Sequence, residues 1–110
     1  MMRMAMSPAA SALLRALIRR ADCSRDRILL TELCAVEWQS LTFVGERHQL
    51  KIRIAGDDAP DLAKRIVDGL ADAEFAIPGT IVADIRCDAG PQPSSDGSIS
   101  LRIEALTIED

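Results

Sequence analysis

His48 is the only imidazole in the chain, and it lies in a stretch, Gly45-Glu46-Arg47-His48, that reads as a hairpin turn. An imidazole titrates near neutral pH and can carry a proton or hold a metal, so His48 is the one catalytic candidate, as an acid or base. No Ser or Cys stands beside it in a nucleophile motif, and a solvated turn histidine is the competing reading. Arg53, Arg86 and Arg102 are the candidate ligand-binding residues, because each guanidinium presents a planar fork that fits a carboxylate or a phosphate. They share a predicted polar sheet face with Lys51, Asp84 and Glu104, and plain solvation of a mixed-charge face explains the same pattern.

Asp57, Asp58 and Asp61 cluster ahead of a predicted helix, while Asp84 and Asp88 share a strand face; oxygens converging from both would suit a divalent cation. The calcium-loop spacing is missing, without its central glycine or its closing Glu, and helix capping accounts for the first group. No metal and no cofactor is expected. Cys23, Cys34 and Cys87 are odd in number, far apart and in no CxxC pair, which argues against a disulfide framework or a four-ligand zinc site and for a reducing compartment. Cys87 alternates with core residues as a buried thiol would. Cys23, close to Arg20 and Arg25, has the electropositive surroundings that lower a thiol pKa. Phosphate loops, dinucleotide-binding glycine turns, zinc-protease helices and serine-hydrolase elbows are all absent, which removes the easily recognised enzyme classes.

The elements that must position these residues belong to a chain of 110 residues, a length that suits one core burying about 65% of the unfolded surface. Only Trp38, Phe43 and Phe75 are aromatic, and the net charge is −4, so neither a base-stacking platform nor electrostatic attraction favours nucleic acid. The charge is uneven. Residues 1–21 hold Arg3, Arg15, Arg19 and Arg20 and no acid, whereas the remainder is strongly acidic. This divides the chain into a basic amphipathic helical leader at 1–23 and a single domain at 24–110. Arginines interrupt the only N-terminal apolar stretch and no eighteen apolar residues run together, so a cytoplasmic protein is predicted.

Ser7-Pro8 is a helix start, followed by Leu13, Leu14, Leu17 and Ile18 on one face and Arg15 and Arg19 on another. This leader packs on the domain or frays, with Met1, Met2, Met4 and Met6 as alternative starts; membrane contact is not expected except through residues 1–22, a segment whose sharper reading is docking on an anionic membrane or in a partner's groove. Residues 24–35 fit either a helix capped by Ser24 or a strand, and the lack of Gly or Pro before Val36 favours one long β-segment. Its apolar phase changes between Trp38 and Leu41, which suggests a bulge near Gln39 and Ser40. Leu50, Ile52 and Ile54 then alternate with Lys51 and Arg53 as a half-buried strand.

Asp58 and Pro60 start a central helix predicted to run to Ala76, with Leu62, Ala63, Ile66, Leu70, Ala73 and Ile77 as its buried stripe and Asp61–Arg65 as an i,i+4 pair. Gly69 within it suggests either close approach of another backbone or a tolerated defect. The second block repeats the plan: Ile81, Ala83, Ile85 and Cys87 on one face, a loop at 89–97, then Ile99, Leu101, Ile103 and Ala105, with a second phase change at Leu106 and Ile108.

The expected fold is α+β: a curved, mostly antiparallel sheet of about four strands in the order β-β-α-β-β, one helix on one face, and an N-terminal amphipathic helix. The leading functional expectation is a non-catalytic binding or protein-interaction module that self-associates through a sheet edge or the uncovered face. The alternative is a small enzyme acting on an anionic metabolite, with His48 as acid or base and Arg53 or Arg86 as the anion clamp.

Overall fold

A computed structural model describes residues 6–110; Arg3 and the possible starts Met1, Met2 and Met4 lie outside the described residues. The first helix, α1 (Pro8–Ala21), begins where Ser7 Oγ accepts the Ala10 amide at 3.1 Å, with Pro8 in the first turn. Asp22 ends it in the left-handed region at φ 54°, its amide donating to the carbonyls of Ile18 and Arg19. Leu13, Leu17 and Ala21 are completely buried, so the apolar stripe of this basic segment is spent on the domain core.

A single 3₁₀ turn at Arg25–Arg27 leads into β1 (Ile28–Gln39), which pairs antiparallel with β2 (Val44–Ile54). After β2 the chain forms α2 (Ala59–Val67), a 3₁₀ turn at Leu70–Asp72, and then the hairpin of β3 (Thr80–Pro93) and β4 (Ile99–Glu109). The order along the chain is thus α-β-β-α-β-β. In space the antiparallel sheet runs β1-β2-β4-β3, so the last strand inserts between the two earlier ones.

Both helices cover the same face of the sheet. Leu50, Ile52 and Ile54 of β2, Leu101 and Ile103 of β4 and Ile85 of β3 meet Leu62, Ala63 and Ile66 of α2 and Leu13 and Leu17 of α1 in one core. Each fully buried Leu or Ile contributes about 1.5–3 kcal/mol of transfer free energy. The helices are also fastened at their C-terminal ends by exchanged arginines. Arg20 Nε donates to the Ile66 carbonyl at 2.9 Å and its Nη2 to the Asp68 carbonyl, while Arg65 Nη1 donates to the Ala21 carbonyl at 3.0 Å. A cation at a helix C-terminus satisfies orphan carbonyls and opposes the helix dipole.

Several local expectations are corrected. The central helix ends at Val67, well short of Ala76, because Gly69 takes φ +69° and breaks the helical backbone. An added Cβ there would meet only an arginine side chain at 3.6 Å, so the glycine serves conformation and not close backbone approach. Asp58 occupies the N-cap position without a side-chain capping bond; its carboxylate pairs with Arg27 instead. The i,i+4 pair of α2 is Lys64–Asp68 at 2.5 Å, and Arg65 is used on α1.

The first hairpin turn is Ser40–Phe43, closed by the Ser40 amide on the Phe43 carbonyl at 2.8 Å and the Phe43 amide on Ser40 Oγ at 3.1 Å. The change of phase after Trp38 is therefore the turn itself, and Gly45 to His48 are strand. Nor does β4 change phase, since Thr107 fills an inward position and Leu106 and Ile108 point the other way. The register shifts fall at Leu30/Glu32, Val82/Asp84 and Asp88/Gln92. The second puts Ile81 on the face opposite Ile85, and the third lies where a loop was expected, inside β3. The sheet is not strongly curled.

Candidate functional site

The register across four strands defines the face that no helix covers among the described residues. At one end Trp38, Gly45, Ile108 and Ile81 form a row, followed by Val36, Arg47, Leu106 and Asp84. Next come Cys34, Gln49, Glu104 and Arg86, and then Glu32, Lys51, Arg102 and Asp88. Side chains directly opposite on neighbouring strands are close enough to interact, so each row behaves as a unit. The first two rows are largely apolar and the last two carry most of the charge. Val36 is 58% exposed and Ile81 48%, and the adjoining turn adds Phe43 at 50% and Leu41 fully in solvent. Large apolar side chains grouped in solvent mark an interaction surface more often than a chance of packing.

The two sheet edges differ. β3 is interrupted by two register shifts and carries Pro91 and Pro93, devices that blunt an edge against further pairing. β1 has neither Gly nor Pro in twelve residues, and its one irregularity, at Thr31, lies near its start. Its segment 32–39 offers an uninterrupted edge with few charges. Sequence patterning placed a strand here but gave no sign that it would be an edge, since strand order depends on where β4 inserts.

Of the predicted ligand-binding arginines, Arg53 and Arg86 are occupied. Arg53 pairs with Asp96 and donates from Nε to Ser98 Oγ at 3.0 Å. Arg86 lies 2.5 Å from Glu104, whose other oxygen accepts the Gln49 amide at 3.3 Å. Arg102 is held loosely, 4.0 Å from Asp88, and lines a depression of about 380 Å³ with Lys51, Ser94 and Ser100. The three arginines are therefore spread over separate rows and do not converge on one ligand.

His48 is 1% exposed on the helix-covered face, in phase with Leu50 and Ile52. Its Nε2 lies 2.8 Å from Thr107 Oγ1, and Nδ1 is buried with no partner among the described residues. Thr107 Oγ1 is 3.5 Å from the Glu46 carbonyl, which assigns the hydroxyl proton to that carbonyl and the ring proton to Nε2. Burial pushes the imidazole pKa below its ordinary value, against the opposing pull of the Glu46 charge. A neutral ring sealed from solvent has no access to a soluble substrate in this conformation. Thr107 was missed in the sequence because it occupies an apolar phase; a hydroxyl in such a position is the signal for a buried polar pair.

The thiols are all free. Burial raises the Cys23 pKa more than the nearby Arg27 lowers it, so the expectation of an activated thiol is not met. Cys87 is raised as well, again by burial. Among the described residues no group of His, Cys, Asp and Glu is arranged to hold a metal ion, and no helix is long and apolar enough to cross a membrane.

Fold and surface together define, among the described residues, a small α+β domain: an antiparallel four-stranded sheet, two helices on one face, and the other face uncovered. No family model, curated protein or solved structure matches the chain.

Proposed function

We propose that this protein is a non-catalytic interaction module of the cytoplasm that self-associates by adding β1 to the β1 of a second copy. The observation that carries this reading is the unblunted β1 edge, bordered by exposed Val36 and the apolar turn at Leu41 and Phe43. A strand that meets its own copy antiparallel forms a closed two-fold dimer and extends the sheet to eight strands. With Val36 opposite its equivalent, Cys34 faces Trp38 and Glu37 faces Ala35, so no carboxylates meet. Three free thiols are in keeping with a reducing compartment.

Sedimentation velocity over a concentration series tests the reading. The wild-type protein is expected to shift to a dimer by high micromolar concentration. Val36→Lys, which places a charge on the edge without touching the core, is expected to remain monomeric. A wild-type protein that stays monomeric throughout would overturn it.

A further inference from the structure

The fourth row of the uncovered face has the charge order Glu32, Lys51, Arg102, Asp88 across the four strands. Two cations are therefore directly opposed at the centre of the sheet, where strands lie about 4.8 Å apart. Like charges so placed repel unless something between them is negative. Lys51, although half-buried, has no carboxylate within ion-pair distance among the described residues, and Arg102 reaches Asp88 only at 4.0 Å. Arg53 and Arg86, one row away on either side, have close acidic partners, so the central pair is distinctive.

The surface is concave on both sides of this pair. A depression of about 380 Å³ opens toward β3 and another of about 300 Å³ toward β1, and Lys51 and Arg102 line both. The larger one is bounded by the irregular part of β3. Three residues, Ala89 to Pro91, stand there against the single residue Leu101 of β4, with φ of 62° at Ala89 and 72° at Gly90. A left-handed alanine is strained, and strain of this kind collects where a site must be shaped. Here it bows the β3 edge away from regular pairing and leaves Ser94 and Ser100 as hydroxyl donors beside the cations.

We propose that Lys51 and Arg102 form the centre of an anion-binding groove that takes a small organic molecule through one carboxylate or phosphate group. Arg102 supplies the planar fork and Lys51 a mobile ammonium, with Ser100 close enough to add a neutral donor. Asp88 and Glu32 at the flanks limit the groove to one anionic group and favour ligands that bear hydroxyl or amino donors beyond it. Lys51 and Arg102 stand on the two central strands, and the larger depression is bounded by β3; only the smaller one borders the β1 edge proposed for self-association, so anion binding at the larger is tested independently of that assembly.

The test is a ¹⁵N–¹H correlation titration of the full chain with inorganic phosphate and, separately, with acetate, each against chloride at matched ionic strength. Saturable shifts are expected at the amides of Lys51, Asp88, Gln92 and Arg102 with one or both anions, and the tighter of the two names the group. Lys51→Gln and Arg102→Gln should each weaken binding about tenfold, as expected for loss of one charge-assisted contact. Asp88→Asn should tighten it, and Arg53→Gln, already committed to Asp96, should leave it unchanged. All four positions are on the wet face, so the spectra should otherwise overlay those of the wild type. Shifts that follow chloride without saturating, or saturable shifts that survive the Lys51→Gln/Arg102→Gln double substitution, would overturn the proposal.

Discussion

His48 and Thr107 meet diagonally across β2 and β4, Nε2 to Oγ1 at 2.8 Å, on the face that the helices bury. They form a polar link within an otherwise apolar layer. A buried donor left without its acceptor costs about 1–3 kcal/mol, more than the bond itself contributes net. Thr107→Val should therefore lower stability by about that amount, with a fall in melting temperature of roughly 4–8 °C per kcal/mol for a domain near this size. Chemical and thermal denaturation would read both. A variant as stable as the wild type would mean that the imidazole finds another partner or water.

The same burial gives a pH signature. The folded pKa of His48 lies below the unfolded value of about 6.5, so the unfolded state binds more protons in the interval between them. The stabilising contribution is complete above about pH 6.5 and is lost as pH falls through the folded value. Asp58 and Asp96 are also depressed, by Arg27 and by Ser98 respectively, but they titrate below the ordinary carboxylate range, well under this window. His48→Gln should flatten the loss of stability just below pH 6.5 and leave the more acidic limb intact. An unchanged profile would contradict the assignment.

Gly45 is closely approached by the neighbouring strand. A Cβ there would lie 1.9 Å from the Thr107 carbonyl oxygen, a backbone atom that cannot swing aside. Gly45→Ala should force β2 and β4 apart near their ends and cost about 1–3 kcal/mol, the usual penalty of overpacking. Denaturation would measure the cost, and slower-exchanging amides at Gly45 to Arg47 should become fast.

The exchanged arginines make α1 part of the domain. Arg20→Ala and Arg65→Ala each remove charged donors from helix-end carbonyls and should each cost about 1 kcal/mol, discounted for partial exposure. Hydrogen exchange should show α1 opening first in the double variant, ahead of β2 and β4. Global unfolding with no separate loss of α1 would show that Leu13 and Leu17 alone hold the helix.

Alternation made the strands legible: Leu50, Ile52 and Ile54, and Ile99, Leu101 and Ile103, announce half-buried strands without any structure. The Ser7-Pro8 start was equally plain, because capping is local. What failed was parity. A tight turn and a bulge both change apolar phase, and the residues Trp38 to Phe43 do not distinguish them; glycine drew the turn to Gly45, whose role is close approach of another strand. Polar side chains in apolar phase were the other obscure case, since His48 Nε2 and Thr107 Oγ1 pair from positions fifty-nine residues apart. The Lys51–Arg102 pairing is invisible in sequence for the same reason: it exists only because β4 lies beside β2.

Amide hydrogen exchange at low and high protein concentration tests the edge-to-edge assembly most directly. If β1 joins β1, amides of residues 32–39 that point away from β2 should become markedly slower as concentration rises, while those on the outer edge of β3 keep a constant rate. Exchange on β1 that is independent of concentration, or protection that appears on β3 instead, would contradict the assembly.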